Sequence, residues 1–276
     1  MKIKILYEDK DILAIDKPSG VAVHPDLHSK EKTISDWFVK SYPKAKNVGE
    51  PMFITGKGEE KIEIKKPGVV HRLDRETSGV LLLAKNQKAY EFLKDQFKNR
   101  EVKKTYNAIV SGFVKKDHDI INKPIGRSPR DFRRYLAGRG ARGEMREAIT
   151  EYRVLKRFQA KAYQKFSPRG SHFEPKAPKE GRRGKIFGTL SPFTYLEIHP
   201  KTGRTHQIRV HMKFINHPVV CDSLYNPDSP CPKEFKRLVL HAKSIEFDLP
   251  AQAGDLKGKT LKIESPLPRE FKNMLK

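Results

Sequence analysis

The chain contains few cysteines and no long apolar run. Its 276 residues include only two cysteines, Cys221 and Cys231. Their spacing fits neither a zinc site nor a disulfide framework, so we expect two reduced thiols. The N-terminal MKIKILYEDKD lacks the apolar core of a secretory signal, and no segment is apolar over enough residues to cross a membrane. We therefore expect a cytoplasmic protein with no membrane association.

Acidic residues are far fewer than basic ones. The 57 lysines and arginines outnumber the 33 acidic residues, which gives a formal net charge of +24. A surface of this charge attracts polyanions and speeds their encounter with the protein, so nucleic acid is the expected partner. A general basic bias and affinity for anionic membranes are the alternatives. The membrane alternative requires a basic amphipathic helix, which the sequence does not contain.

Two segments hold more than half of the excess positive charge. Residues 127–146 contain seven arginines and two acids, and residues 156–187 contain ten basic residues, two acids and five interleaved aromatics. Aromatic side chains among cations suit stacking on unpaired bases, although a solvated insertion would have a similar composition. Prolines and glycines predict little regular structure in the second segment before binding. We predict flexible basic insertion loops at about 127–146 and 156–187 in one domain spanning residues 1–276.

The secondary-structure pattern consists of short strands interrupted by a few helices, which indicates an α+β fold. Strands are predicted at 3–7, 12–15, 80–84, 102–110, 148–155, 194–198, 238–247 and 259–263, and helices at 33–40, 87–99 and 204–215. Residues 44–68 are predicted to be a polar loop.

The segment HRLDRETSGV, residues 71–80, carries the strongest chemical signal. Asp74 lies between Arg72 and Arg75, and guanidinium groups near a carboxylate favour its ionised form. Thr77, Ser78 and Gly79 then indicate a turn that leads into a buried strand. Asp74 is therefore a candidate nucleophile or electrostatic stabiliser at the end of a strand. The alternative is that its side chain merely caps the turn.

The same segment resembles the signature loop of the pseudouridine synthases of the ribosomal-large-subunit type. Four further motifs of this family follow the family order, namely DKPSG at 16–20, KTYNAIVSG at 104–112, TGRTHQIRVH at 202–211 and LHA at 240–242. The resemblance implies the pseudouridine synthase fold, with a mixed, mostly antiparallel central sheet, flanking helices and an RNA-binding cleft. Some relatives carry a small N-terminal RNA-binding module, and we expect none here.

The resemblance also implies roles for individual residues. Asp74 would be the catalytic nucleophile, Tyr106 would pack against the target base and is a candidate for moving a proton, and Arg209 would pair with Asp74. Arg72 would fill the base stack after the target base leaves it, and Ile208 would line the pocket. Further substrate-binding candidates are His71, Thr77, Arg204, Leu240 and His241. We expect His206 and His211, five apart on the predicted helix, to be structural.

The implied reaction converts a specific uridine in structured RNA into pseudouridine after the base is flipped out of its stack. It requires no cofactor or metal, and we expect a monomer that acts on ribosomal RNA or transfer RNA, with ribosomal RNA preferred. Two other function classes are compatible with parts of the sequence. A non-catalytic RNA-binding protein would explain the basic segments, and a glycosidic-bond hydrolase would also use a carboxylate, although sugar hydrolysis usually needs two opposed ones.

Overall fold

A computed structural model describes residues 1–25, 31–55, 61–163, 189–227, 231–233, 235–249 and 258–276. These residues form one large sheet, two small sheets and four α-helices. The strands are β1 Lys4–Glu8, β2 Ile12–Lys17, β3 Met52–Thr55, β4 Lys61–Ile64, β5 Ser78–Ala84, β6 Lys103–Ser111, β7 His118–Asn122, β8 Ile125–Arg127, β9 Tyr135–Ala137, β10 Arg142–Arg146, β11 Ile149–Tyr163, β12 Thr189–Pro200, β13 Cys231–Pro232, β14 Leu240–Asp248 and β15 Thr260–Glu264.

The large sheet has the strand order β1-β2-β5-β14-β6-β12-β11-β13, while β15 pairs with β14 and β7 with β11. Only the β5–β14 pair is parallel among the described strands, and all other pairs in this sheet are antiparallel. This arrangement confirms the predicted mixed, mostly antiparallel sheet of an α+β fold.

The helices are α1 Ile34–Ser41, α2 Gln87–Asn99, α3 Gln207–Phe214 and α4 Arg269–Leu275. Thr33 caps α1, where its side chain and that of Asp36 form a reciprocal capping box. Asn86 caps α2 by accepting a hydrogen bond from the backbone of Ala89. The predicted starts of α1 and α2 are therefore confirmed to within a residue.

Strand β5 lies inside the large sheet, between β2 and β14, and all seven of its residues are buried. Gly79 adopts a left-handed φ of 112°, and a Cβ atom at this position would approach the backbone oxygen of Ala242 to 2.1 Å. Only glycine therefore allows β5 and β14 to approach each other here. This contact fixes the start of β5, which immediately follows the Asp74 loop.

The structure corrects several sequence-based expectations. Residues 44–68 are not simply a polar loop, because a short helical turn and the antiparallel pair β3–β4 lie within them. The segment 127–146, expected to be a flexible loop, forms most of a three-stranded sheet in the order β10-β8-β9, which we call the small basic sheet. Lys156 to Tyr163 belong to the long strand β11, so the regular structure extends into the second basic segment, of which residues 164–188 lie outside the described residues.

The two cysteines are not reduced thiols. Cys221 and Cys231 form a disulfide with a Cα–Cα distance of 5.3 Å. The sequence spacing gave no sign of this pairing, because the contact depends on the return of the chain at β13, which pairs with the far end of β11. Cys221 itself adopts a left-handed backbone conformation, with φ of 58°.

Candidate active site

The DKPSG motif, residues 16–20, supports the loop that carries Asp74. The amino group of Lys17 is fully buried and donates hydrogen bonds to the backbone oxygens of Pro18, Val21 and Arg75 at 2.9, 2.7 and 2.9 Å. Burial lowers the pKa of Lys17 to about 7, and the nearby negative charge of Asp74 opposes this shift. The backbone N–H of Thr77 donates to the oxygen of Asp74 at 3.1 Å and closes the turn. The position of Asp74 is thus fixed by two distant segments of the chain.

An arginine between two aspartates forms the centre of the site. Arg209 Nη1 lies 3.3 Å from Asp74 Oδ2, and its Nε and Nη2 donate to the two carboxylate oxygens of Asp222 at 2.7 and 2.8 Å. The exposed fraction of the side chain is 18% for Asp74, 7% for Arg209 and 0% for Asp222. Although burial opposes the positive charge, the bonds to Asp222 raise the pKa of Arg209. A bidentate pair fixes the guanidinium plane, so Asp222 orients the group that faces Asp74.

Asp74 opens onto a cavity of about 450 Å³. The sequence-predicted residues that line it are His71, Arg72, Asp74, Thr77, Tyr106, Arg204, Ile208, Arg209 and Leu240. They come from the Asp74 loop, from β6, from the start of β14 and from α3 with its preceding turn. The structure therefore brings together nine of the ten residues named from the sequence.

The walls of this cavity combine apolar surface with neutral polar groups. Burial, together with the charge of Asp74, raises the pKa of Tyr106, which keeps its phenol protonated. His71 stacks on Phe97 and accepts a hydrogen bond at Nε2 from the backbone N–H of Leu82 at 2.9 Å. Burial and the positive charge of Lys104 lower the pKa of His71 to about 3. Tyr106 and Ile208 thus give this cavity apolar surface in its wall, next to the carboxylate of Asp74.

Cations surround the cavity. Five basic residues besides Arg72 and Arg209 line it, namely Lys98, Arg100, Lys104, Lys201 and Arg204. Arg204 Nε donates to the backbone oxygen of Glu147 at 2.9 Å, and burial lowers the pKa of Lys104 to about 8. Exposed Arg72 places Nη1 3.4 Å from His24 Nε2 and lines both this cavity and a smaller neighbour of about 200 Å³. Arg75 does not line the Asp74 cavity, and its Nη2 pairs with Glu31 Oε2 at 2.5 Å.

Two histidines, His241 and His206, lie where the sequence did not place them. His241 does not line the cavity; it is 1% exposed, and its Nδ1 lies 2.9 Å from Ser78 Oγ. His206 and His211 do not share a helix, because α3 starts only at Gln207 and His206 precedes it in a left-handed conformation. His211 is buried and contacts Thr150 Oγ1 and the oxygen of Lys123. His206 instead lines the cavity.

Three residues belong to the site although none of them was expected there from the sequence, namely Lys17, Asp222 and His206. Lys17 lies in a recognised motif, but nothing in the sequence indicated that its amino group would be buried. Asp222 comes shortly after the apolar pair Val219–Val220, in a chain with fewer acidic than basic residues. An acid that is buried beside such a pair needs a cationic partner. This signal could have pointed to Arg209.

Comparison with known proteins shows the family. Residues 11–214 match the sequence profile of the RNA pseudouridylate synthase family, and the chain belongs to that family. It is thus an isomerase that converts uridine in RNA into pseudouridine. An uncharacterized RNA pseudouridine synthase of Aquifex aeolicus is 34% identical over 99% of this chain and 72% of its own length. The ribosomal large subunit pseudouridine synthase D of Pseudomonas aeruginosa is 32% identical over 98% of this chain and 70% of its own.

Solved structures share the fold. The human RNA pseudouridylate synthase domain containing 4 aligns with a TM-score of 0.61 at 25% identity, covering 99% of this chain and 91% of its own. The human domain containing 1 aligns with a TM-score of 0.63 at 23% identity, covering 97% and 84%. Among the described residues, no three metal-binding side chains form a cluster, and none of the described helices combines the length and apolarity needed to cross a membrane.

Proposed function

We propose that this protein modifies ribosomal RNA and that Asp74 is its nucleophile. The observation that carries this proposal is the placement of Asp74 at a cavity sized for one nucleotide, 3.3 Å from an arginine that a second aspartate holds. The fixed guanidinium faces this carboxylate without hiding it from a ligand, because the side chain of Asp74 remains 18% exposed. Several relatives, from Pseudomonas aeruginosa and Borreliella burgdorferi among others, are named ribosomal large subunit pseudouridine synthase D, which favours ribosomal RNA, met in the cytoplasm.

The reaction begins when the target uridine leaves its stack and enters the cavity. Unstacking costs a few kcal/mol, which contacts between phosphates and the surrounding cations offset. Exposed Arg72 at the edge of the cavity takes the place of the departed base in the RNA stack. Tyr106 then packs against the uracil.

Asp74 acts on the ribose of the bound uridine, either at the anomeric carbon or by removing a sugar proton. The bond between N1 of uracil and the anomeric carbon breaks, the uracil turns, and C5 bonds to the same carbon. The hydrogen of C5 finally leaves as a proton, so the product is an isomer of the substrate. Ile208 and Leu240, as apolar wall residues, allow the detached ring to turn without offering it a competing hydrogen bond.

The small basic sheet supplies a surface for the RNA outside the cavity. Arg142 and Arg146 on β10 are exposed, and the sheet contacts α3 through β9. The arginine-rich segment thus lies beside the helix that carries Arg209. Phosphates of the RNA strand that flanks the target uridine are the expected ligands of these arginines.

The test is tritium release from unmodified RNA that carries tritium at C5 of uracil. We expect release from large-subunit ribosomal RNA and not from transfer RNA, and we expect Asp74→Asn to abolish it. Glu76→Gln is the matched control, since it removes a carboxylate from the same loop that does not line the cavity. Equal release by Asp74→Asn and the wild-type protein would refute the assignment of the nucleophile, and release from transfer RNA alone would refute the substrate.

A further inference from the structure

His206 has a backbone conformation that its residue type does not favour. It lies directly before α3 with φ of 56°, in the left-handed region, and its side chain makes no capping hydrogen bond to the helix. A residue with a Cβ atom is less stable than glycine in this region of backbone conformation. The site therefore retains a histidine at a position where helix capping does not require one.

The hydrogen bonds around His206 favour one position for the proton of its ring. The backbone N–H of Tyr135, on β9, donates to Tyr225 Oη at 3.0 Å. The same phenol oxygen lies 3.0 Å from His206 Nδ1. Because Oη already accepts from Tyr135, its own hydrogen is free to be donated to Nδ1. The imidazole then accepts at Nδ1 and carries its proton on Nε2.

Nε2 is the polar atom of this ring that remains for a ligand. His206 lines the Asp74 cavity and also the smaller cavity, and both cavities are lined by Arg72 and Asp74 as well. The ring therefore lies beside the position that the target nucleotide occupies. Burial lowers the pKa of His206, although Asp74 opposes the shift, so the ring is neutral at pH 7. A neutral imidazole here offers one N–H donor and no charge.

We propose that His206 contacts the substrate, donating a hydrogen bond from Nε2 to an oxygen of the target nucleotide, and that Tyr225 is the positioning residue that fixes this donor. The identity of the ligand rests on the proposed function, whereas the state of the imidazole does not. Tyr225 also stacks on the guanidinium of Arg209, whose Cζ atom lies 5.0 Å from the centroid of the tyrosine ring. One tyrosine thus connects the small basic sheet, through Tyr135, to both His206 and Arg209.

The first experiment measures the tautomer of His206 in the RNA-free protein by ¹⁵N NMR of the imidazole nitrogens at pH 7. We expect the Nε2–H form in the wild-type protein and loss of its dominance in Tyr225→Phe, which keeps the ring stacked on Arg209 but removes the phenol donor. Tyr195→Phe is the matched control, because Tyr195 is a partly buried tyrosine on β12 that packs near Phe271, and the His206 signals should not change. A dominant Nδ1–H form or a charged ring in the wild-type protein would overturn the proposal.

The second experiment measures single-turnover tritium release from large-subunit ribosomal RNA. His206→Ala should lower the rate about 10- to 100-fold, and His206→Gln should restore much of it because its amide also donates. RNA affinity should change little, since the basic surface dominates binding. An unchanged rate in His206→Ala, or a loss confined to RNA affinity or thermal stability, would refute the contact. If the wild-type protein releases no tritium, the proposed function fails, and the NMR result still decides the state of the imidazole.

Discussion

The centre of the site and the small basic sheet both pair arginines with carboxylates, but in opposite surroundings. Arg209 and Asp222 are 7% and 0% exposed, whereas Arg133 and its partner Asp131 are 64% and 20% exposed. Water competes for the exposed pair, so that pair contributes little to stability, and Arg133 can exchange its partner for a phosphate. The buried pair cannot exchange partners without leaving a charge unpaired. The same residue types therefore provide fixed geometry in one region and an adaptable surface in the other.

The sharpest test of this contrast removes one carboxylate from each region. Asp222→Ala should lower the free energy of unfolding by about 3–5 kcal/mol, because it leaves Arg209 buried without its bidentate partner. Isomerase activity should nearly disappear, since the guanidinium loses the orientation that it presents to Asp74. Asp131→Ala should have a much smaller effect on stability, because its ion pairs are exposed to water. Urea unfolding and tritium release measure both effects, and similar losses in the two variants would show that the contrast is wrong.

A second test uses acid, because buried histidines respond to pH in a way that exposed ones do not. Burial lowers the pKa of His241 to about 4, from an ordinary value of 6.5. Between these values the unfolded chain binds more protons at this site than the folded protein does. Stability should therefore fall as the pH drops from 6.5 to 4, by up to about 1.4 kcal/mol per pH unit for this group.

Substitution separates this contribution from that of other groups. Urea unfolding at a series of pH values should give a smaller slope of the free energy of unfolding against pH in His241→Gln than in the wild-type protein. An unaltered slope in His241→Gln would show that the imidazole titrates alike in the folded and unfolded states.

The smallest effect on stability is expected in the small basic sheet. Arg142→Gln should change the free energy of unfolding by less than about 0.5 kcal/mol, because the side chain is exposed. It should weaken RNA binding to a similar extent for different sequences and reduce the slope of log affinity against log salt by about 1. Fluorescence anisotropy over a range of salt concentrations measures this slope. Substitution of the exposed Lys2 is the control, and an equal change there would assign the binding to overall charge.

Much of the fold could be predicted from local sequence. The caps Thr33 and Asn86 and the apolar strand after Gly79 are signals within a few neighbouring residues, and the corresponding elements formed as expected. Nine of the ten site residues expected from the sequence line the cavity. The remaining features depend on distant contacts. Asp222 meets Arg209 only because α3 and the segment after it fold against each other, and no spacing in the sequence encodes that contact.

The same limit explains the errors. Residues 127–146 were predicted to be a loop because their many arginines obscure the hydrophobic pattern of the short strands. The small basic sheet forms because β8 pairs with both β9 and β10. His206 and His211 were predicted to lie on one helix because the hydrophobic spacing does not indicate the left-handed backbone conformation of His206. The cysteines looked unrelated because their contact is made by the tertiary fold.

The disulfide closes a covalent ring over residues 221–231, and this ring joins two distant parts of the molecule. At one end, Cys221 is the neighbour of Asp222, which holds Arg209. At the other end, Cys231 begins β13, which pairs with Ala162 and Tyr163 at the far end of β11. The far end of β11 is thus linked, through β13 and one sulfur bridge, to the residue next to the aspartate that holds Arg209.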